Sequence, residues 1–552
     1  MHRYRYAATL AAVLLAACGG GGGGGGGGST TSPDNGNGVT YSATQISAAT
    51  SSSTVTTGVT VSGKAQAQIV PNNLTSGRLN YAGQYYTAIR GATVELLDAG
   101  SSAVLATATT DGSGNYSFLA PTNTSVKVRV KAEAVSTSTS YAQYNVSVRD
   151  NTNSNALYVL DSATFNTGTS DVTKNLNADS GWDTNTATYT GTRASGPFAL
   201  LDTAYKGMLK IAKAKSLVVI PKLNMFWSVN NRPSSGTLSA GDIGTSFFGG
   251  YDSGSGAYQL YILGKEGVDT DEFDETVVAH EFGHYMQAAF SRDNSIGGSH
   301  AFNHKLDMRV AFSEGWGNAW GGIATERTVY SDSSGTAQAS GFTVNLASSG
   351  GSSKGWFNET SVAYVLTTIN QNSGFTPIWD ALTSSDFKTN ARVSSLYSFL
   401  ANLSSSALTA VSSTLTAESI GSTDGWGTGE TNDGSVPGAL AVYKTHSNFS
   451  GTNAQYCVDY TYYNSVSGAN KLGVSQFIRM TLPSSRTYTF TAGGGTGTDP
   501  DFRIYQGGNV YYGETTGTSE TKNVALTAGD AVMVLTDYNK LTSANCFNLS
   551  VN

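Results

Sequence analysis

Apolar and polar residues alternate in short runs over the first third of the chain, from about residue 59 to 160. A period of two is the pattern of strands with one buried face. A Gly- and Asp-rich turn at 111–115 separates two of these runs. The pattern predicts strands at 94–97, 104–108, 116–119 and 126–130.

The spacing of apolar residues becomes helical from about Ser195, and helices are predicted around 274–290, 308–323 and 359–370. The last hundred residues return to alternation, which predicts strands at 476–482, 487–491, 501–505 and 531–536. A chain of 552 residues exceeds what one core usually organises. We therefore expect a multidomain protein with a central α+β domain between two all-β regions.

Composition points to an extracellular protein rich in strands and loops. Charged residues make up 13% of the chain, and tyrosines (29) outnumber phenylalanines (21). The net charge of -7 is mild for this length, and no cluster of Lys and Arg follows the N-terminus. Nucleic acid is therefore excluded as an expected partner.

The N-terminus carries a targeting signal. His2, Arg3 and Arg5 precede a short apolar stretch at 7–17, which is too short for a permanent membrane helix. The sequence Leu15-Ala16-Ala17-Cys18-Gly19 resembles a bacterial lipobox. The resemblance implies a signal peptide at 1–18, lipidation of Cys18 and a membrane anchor, with outer-membrane sorting in a Gram-negative envelope. The alternative is an ordinary signal peptide that contains a Cys. The Gly/Ser/Thr-rich segment 19–55 is expected to be a flexible tether.

The strongest internal signal is the pentapeptide His280-Glu281-Phe282-Gly283-His284. Residues four apart share a helix face, so both imidazoles can bind one tetrahedral ion. Glu281 would face the open coordination position, where a carboxylate can take a proton from water. The pattern predicts a zinc site with Glu281 as the general base.

Such a site needs a third protein ligand. A third histidine would stand six residues after His284, but that position is Phe290. Glu314, in a helix expected to begin near Met308, is our predicted third ligand. Asn318, one turn later, is expected to orient a zinc-bound imidazole.

These two segments resemble the gluzincin metallopeptidases, among them the thermolysin-like and fungalysin-like groups. The resemblance implies a zincin-type catalytic domain, expected at 190–446, with zinc on His280, His284 and Glu314. Asn318 departs from the thermolysin-like pattern, which has an aspartate there. A neutral amide polarises an imidazole less than a carboxylate does.

The donor that stabilises the oxyanion is less well marked. The thermolysin-like enzymes use Tyr and His, and our candidates are Tyr364 and His446; the alternatives are a core tyrosine and a structural histidine. His300 and His304 have helical spacing and could form a second metal site, although a surface location is favoured.

The flanking regions also resemble known modules. Residues 56–165 resemble prealbumin-like β-sandwiches, and residues 452–552 resemble bacterial pre-peptidase C-terminal β-sandwiches appended to secreted peptidases. Cys457 and Cys546 would then form a disulfide between the first and last strands of the second module; two free thiols are the alternative.

Two further features remain open. The loop from Asp424 to Asp433 packs oxygen-bearing side chains among glycines and could bind Ca²⁺, although a solvated turn is favoured. Segments 244–248 and 258–263 are predicted as neighbouring strands, one of them a sheet edge on which a peptide could dock or else ordinary core sheet.

The expected function is hydrolysis of peptide bonds in protein or peptide substrates by zinc-activated water, with an endopeptidase preferred over an aminopeptidase. The rival hypothesis is a non-catalytic surface lipoprotein, an adhesin or scaffold, that retains a structural zinc site. The sequence does not indicate an oligomeric state.

Overall fold

The computed structural model describes residues 50–349, 351, 353–461, 470–539 and 543–552. The predicted signal peptide, Cys18 and nearly all of the predicted tether lie outside the described residues. None of the described helices is long and apolar enough to cross a membrane.

The N-terminal part consists of strands, most of which alternate buried and exposed residues. They are β1 (Ser51–Ser53), β2 (Val59–Ile69), β3 (Tyr85–Ala88), β4 (Ala92–Asp98), β5 (Val104–Thr109), β6 (Asn115–Ala120), β7 (Ser125–Ser136), β8 (Tyr144–Asp150), β9 (Ala156–Leu157), β10 (Val159–Asp161), β11 (Phe165–Asn166), β12 (Val172–Thr173) and β13 (Leu176–Ala178). In β7 every second residue is buried, as the alternating sequence predicts. The four strands predicted here are confirmed as β4, β5, β6 and part of β7.

The middle of the chain combines helices with further strands. In order they are β14 (Trp182–Asp183), β15 (Thr188–Tyr189), α1 (Gly196–Ala214), β16 (Leu223–Trp227), β17 (Phe247–Asp252), β18 (Ala257–Ile262), α2 (Glu275–Phe290), α3 (Met308–Thr325), β19 (Val329–Ser334), β20 (Ser340–Asn345), α4 (Glu359–Ser373), α5 (Thr376–Thr383), α6 (Ser385–Thr389), α7 (Leu396–Leu400) and α8 (Ser405–Ala417). The three predicted helices correspond to α2, α3 and α4. Short 3-10 turns occur at Tyr81–Gly83, Leu238–Ala240, Asp271–Phe273 and Thr336–Gln338.

The C-terminal part is a β-sandwich. Its strands are β21 (Lys444–His446), β22 (Ala454–Asp459), β23 (Gln476–Leu482), β24 (Arg486–Gly493), β25 (Pro500–Gln506), β26 (Asn509–Gly513), β27 (Ser519–Leu526), β28 (Gly529–Asp537) and β29 (Ala544–Val551). One sheet has the order β21-β23-β28-β25-β26 and the other the order β22-β29-β24-β27. The inner faces enclose a separate core that includes Ile478, Phe490 and Phe547.

The N-terminal region is not the separate sandwich that the sequence predicted for 56–165. A small sheet around β2 does form a second layer, but the larger sheet continues from β8 through β16 and β18 to β17. Strand β16 pairs in parallel with both β8 and β18, and all five of its residues are buried. A strand buried on both faces belongs to the middle of a sheet. One hydrophobic core therefore spans both predicted domains.

Helices α1, α2, α3 and α4 place the candidate site at one end of this sheet. Helix α2 packs on α1, on α3 and on the edge strand β17, and α3 packs on α4. All residues of α3 from Met308 to Ala324 are buried, so this helix lies inside the helical layer. The predicted strand at 244–248 overlaps β17 only at Phe247 and Phe248, but β17 is a sheet edge beside α2 and pairs only with β18 within the described residues.

Cys457 and Cys546 form the expected disulfide. They face each other across the β22–β29 pair, and both residues are exposed. The bond closes a loop with a sequence separation of 89. Closing a long loop lowers the entropy of the unfolded chain and so stabilises the fold.

Replacing both cysteines (Cys457→Ser with Cys546→Ser) should lower the stability of the C-terminal sandwich by about 2–4 kcal/mol. Differential scanning calorimetry should show this loss in one transition, because the sandwich has its own core. Dithiothreitol should shift the same transition in the wild type and leave the double variant unchanged. Equal unfolding temperatures for oxidised wild type and variant would contradict the expectation.

Candidate metal centre

Three side chains predicted to bind a metal converge between α2 and α3. The Nε2 atoms of His280 and His284 lie 3.0 Å apart. Oε2 of Glu314 lies 3.3 Å from Nε2 of His280 and 3.4 Å from Nε2 of His284. Ligands held at zinc-type bond lengths around one tetrahedral ion are separated by about 3.3–3.5 Å. The three donor atoms therefore have the spacing that one metal ion requires.

The close approach of the two helices depends on glycines. A Cβ atom on Gly317 would lie 2.7–2.9 Å from three atoms of the His280 ring, and one on Gly283 would lie 3.1 Å from Trp320 and 3.3 Å from the Gly317 Cα atom. Nε1 of Trp316 donates to the carbonyl oxygen of Gly283 at 2.8 Å, which holds the helices in this register.

Asn318 fixes the tautomer of His280. Its Nδ2 group donates to Oε2 of Glu359 at 3.1 Å, so its Oδ1 atom faces Nδ1 of His280 at 3.0 Å. An amide oxygen only accepts, so His280 carries its proton on Nδ1 and presents a lone pair on Nε2. Asn318 thus has the orienting contact that the sequence predicted for it.

A second series of hydrogen bonds fixes the tautomer of His284 in the same way. Oγ of Ser313 donates to Oδ2 of Asp293 at 3.1 Å and therefore accepts from Nδ1 of His284, which lies 3.3 Å away. When His284 is neutral, its lone pair is then on Nε2. Two imidazole Nε2 atoms and a carboxylate oxygen meet at one point, where their repulsion is relieved either by a proton on an imidazole or by a metal ion among them. The residues present fit a metal ion.

The electrostatics of the site favour a cation. Burial alone would lower the pKa of His284, but the charge of Glu314 and its hydrogen bond raise that pKa to about 9. Burial alone would raise the pKa of Glu314, but His300 and His284 hold it well below its usual range. Glu314 is therefore an anion, and its field attracts positive charge to the position between the histidines.

Glu281 stands beside this position without a basic partner. Burial raises the pKa of its carboxyl group, while His280 and His284 oppose that rise. The backbone N–H of Phe248, in edge strand β17, donates to the carboxylate. A carboxyl group with a raised pKa, next to two imidazoles that could hold a metal ion, is suited to accept and release a proton.

His300 is exposed, as the favoured surface location predicted, and its ring also reaches this site, where it forms with Glu314 and Glu359 a second group that could hold a metal ion. It lies in the irregular segment between α2 and α3 rather than on a helix. Its Nε2 atom lies 3.3 Å from Oε2 of Glu314, and its Nδ1 atom lies 3.1 Å from Oε2 of Glu359. Burial would lower its pKa, but the charges of Glu314 and Glu359 raise that pKa to about 10. Its side chain is 32% exposed, so it lies at the solvent side of the site. His304 is partly buried in the same segment.

Glu359 is a residue of this site that the sequence analysis missed. It is the first residue of α4 and 1% exposed, and it accepts hydrogen bonds from both Asn318 and His300. A helix N-terminus stabilises a carboxylate. The available signal was Asn358-Glu359, an N-cap residue followed by an acid.

The two candidate oxyanion donors lie elsewhere. His446 is 2% exposed in the C-terminal sandwich, where Nδ1 contacts the Tyr456 hydroxyl at 3.1 Å and Nε2 contacts the Asn448 carbonyl at 2.6 Å. Both ring nitrogens are thus used structurally. Tyr364 is half-buried on α4, five residues after Glu359 and so about 140° around the helix from it. The structure brings neither residue to the three ligands.

The loop from Asp424 to Asp433 is a turn rather than a calcium site. Oδ1 of Asp424 accepts from the backbone N–H groups of Trp426 and Thr428, each at 2.9 Å. Glu430 likewise accepts from three backbone N–H groups and from the Tyr397 hydroxyl. Because these carboxylates are already satisfied by the backbone, no metal-binding group forms in this loop among the described residues.

No protein-family model matches the chain, and no curated protein matches it. Three solved structures are similar to one fifth of it. They are the pre-peptidase C-terminal domain of a Bacillus anthracis collagenase (11% identity, 20% of this chain and 94% of that chain, TM-score 0.15), CorA, a surface-associated copper-binding protein of Methylomicrobium album BG8 (10%, 20% and 98%, TM-score 0.15), and PliG, a periplasmic inhibitor of g-type lysozyme from Aeromonas hydrophila (14%, 20% and 97%, TM-score 0.13).

Substituting Gly317→Ala should weaken metal binding by about 10-fold or more, the range typical for groups that orient metal ligands. The added methyl group would displace the His280 ring, although alanine itself favours helix. Zn²⁺ affinity can be measured by competition with a chromophoric chelator. The matched control is Gly495→Ala, where a Cβ atom meets nothing within 4 Å. Equal affinity in Gly317→Ala and wild type would contradict the assigned geometry.

Proposed function

We propose that this chain is a zinc-dependent peptidase, with His280, His284 and Glu314 as ligands and Glu281 as general base. The observation that carries the proposal is the convergence of two oriented imidazoles and one carboxylate beside a second, half-buried carboxylate. Two histidines and one glutamate are a ligand set of catalytic zinc sites, whereas structural sites usually have four protein ligands. In the described part of the chain no fourth Asp, Glu, His or Cys lies close to all three donor atoms, although Nε2 of His300 lies 3.3 Å from Oε2 of Glu314.

Zinc bound in this centre would polarise the scissile carbonyl and lower the pKa of water. Side chains of the protein would transfer the proton and stabilise the negative charge that develops on the carbonyl oxygen. Glu281 accepts a proton on its carboxylate and returns it to the leaving nitrogen, for which its raised pKa is suitable. His300, with its raised pKa and its partly exposed ring, is the best-placed donor to the developing oxyanion, in place of Tyr364 and His446.

The edge strand β17 supports a peptide as the substrate. Phe248, in β17, makes a backbone hydrogen bond that lowers the pKa of Glu281, so this edge strand runs beside the proposed base. An extended peptide that pairs with this edge would place a backbone carbonyl next to the centre. Such backbone pairing does not depend on side-chain identity or on a free terminus, and it favours an endopeptidase over an aminopeptidase.

We also propose that the protein is a lipoprotein of the bacterial cell envelope. The support is the lipobox resemblance at Cys18 and the glycine run that follows it. The disulfide in the C-terminal sandwich is consistent with an oxidising compartment.

Substituting Glu281→Gln should leave zinc binding intact and lower kcat/KM by about 10²–10⁴-fold, because the isosteric amide cannot accept the proton. The measurement is hydrolysis of fluorescent casein, together with zinc content. Glu266→Gln, at an exposed position outside the site, is the matched control. Peptides with an acetylated N-terminus should also be cleaved, as an endopeptidase requires.

An active Glu281→Gln variant would refute the assignment of the base. A zinc-loaded wild type that cleaves neither casein nor blocked peptides would instead favour the non-catalytic surface protein. A structural zinc site has no use for a carboxylate at position 281.

A further inference from the structure

A second cluster of candidate ligands lies at the start of α2. Asp269 and Asp271 precede the helix, Asp274 is its N-cap residue, and Asp332 comes from β19, which packs on α2. One carboxylate oxygen of each residue lies within 4.8 Å of the other three. Among the described residues, no lysine or arginine forms an ion pair with any of them.

Two of these carboxylates have buried oxygen atoms without a hydrogen-bond partner. Asp271 is 3% exposed; its Oδ2 atom accepts from Oγ of Ser246, and its Oδ1 atom has no donor. Oδ1 of Asp269, whose carboxyl group is in contact with Asp271, is also buried without a donor. A buried charged oxygen without a partner is costly. Both atoms belong to groups that face other carboxylates, so either a cation or shared protons, such as one between Asp269 and Asp271, must lie between them.

The remaining polar contacts hold the cluster in place rather than neutralise it. Asp274 accepts from Nδ2 of Asn72 and, at 2.6 Å, from Oγ of Ser333. Burial and mutual repulsion raise the pKa of all four carboxyl groups. Four carboxylates at this spacing need either protons or a cation.

We propose that Asp269, Asp271, Asp274 and Asp332 bind one Ca²⁺ ion. The donors are all oxygens, with no imidazole or thiol to favour zinc. Ca²⁺ accepts several carboxylates in flexible geometry, whereas Mg²⁺ usually keeps its waters and takes only one or two. The site is separate from the zinc ligands and does not depend on the peptidase proposal.

The position of this ion would give it a structural role. The backbone carbonyl of Asp274 accepts from the N–H groups of Val277 and Val278 and so begins α2, the helix that carries His280, Glu281 and His284. Asp332 lies on β19, and Asn72 comes from the N-terminal region. A cation here would tie these three parts of the chain to the start of the metal-binding helix.

The test uses the purified protein, stripped of metals and reloaded with one equivalent of Zn²⁺. Equilibrium dialysis with CaCl₂ should give one Ca²⁺ per chain. At about 100 times the Kd, binding should raise the unfolding temperature by about 3 °C for a protein of this size. MgCl₂ at the same concentration should give a clearly smaller shift.

Asp332→Asn is the informative variant because its two expected effects have opposite signs. Without calcium the variant should unfold at a higher temperature than wild type, because one repelling charge is gone. When calcium is added, its unfolding temperature should rise less than that of wild type. Asp433→Asn, in the turn excluded above, should respond like wild type. The Glu314→Gln variant should lose zinc but keep the calcium-induced rise in unfolding temperature. This result would separate the calcium proposal from the peptidase proposal.

Two results would overturn the inference. One is an undiminished calcium shift in Asp332→Asn. The other is a wild type that binds no Ca²⁺ and becomes more stable as pH falls through the raised pKa range of these carboxyl groups. Folded groups with raised pKa values bind extra protons, so the second result would show that shared protons neutralise the cluster.

Discussion

The close packing of α2 against α3 is the constraint on which the candidate metal centre depends. Two histidines one turn apart on α2 supply two ligands, and here Glu314, from the neighbouring helix α3, completes the set. Gly283 and Gly317 allow that approach because neither has a side chain between the helix axes. The result is a set of three donor atoms 3.0–3.4 Å apart. A bulkier residue at either glycine would separate ligands that are individually intact.

The two imidazole rings must also be oriented, and two buried series of hydrogen bonds orient them. One runs from His280 through Asn318 to Glu359, and the other runs from His284 through Ser313 to Asp293. Each ends at a carboxylate, so each leaves the Nε2 lone pair of its histidine for a metal. The neutral amide at position 318 is thus linked to a carboxylate one step further out. Glu359 also holds His300, and this joins the ligand set to the proposed oxyanion donor.

The part of the site that could be predicted is the part that local periodicity determines. His280, Glu281 and His284 lie on one helix, and Glu314 and Asn318 lie on one face of the next, so spacing alone groups them. His300 was named only as a candidate for a second metal site with His304, because it lies in an irregular segment, where spacing carries no information about direction. Glu359 was missed because its role comes from contacts with residues 41 and 59 positions away.

The same limit applies to the fold. Most strands and helices were predictable from alternation and helical spacing, but the parallel pairing of β8 with β16 joins segments far apart in sequence, and no local pattern marks it. Two domains predicted from a change of periodicity therefore share one sheet and one core. His446 lies by sequence at the predicted end of the catalytic domain, yet its strand pairs with β23 in the sandwich.

The central claim is that His280, His284 and Glu314 bind one zinc ion together. X-ray absorption at the zinc K-edge of the purified, zinc-loaded protein tests it directly. We predict one zinc per chain with imidazole scattering from two histidines at about 2.0–2.1 Å and a carboxylate oxygen at about 2.0–2.2 Å. A zinc shell composed of oxygen alone, without imidazole scattering, would contradict the account.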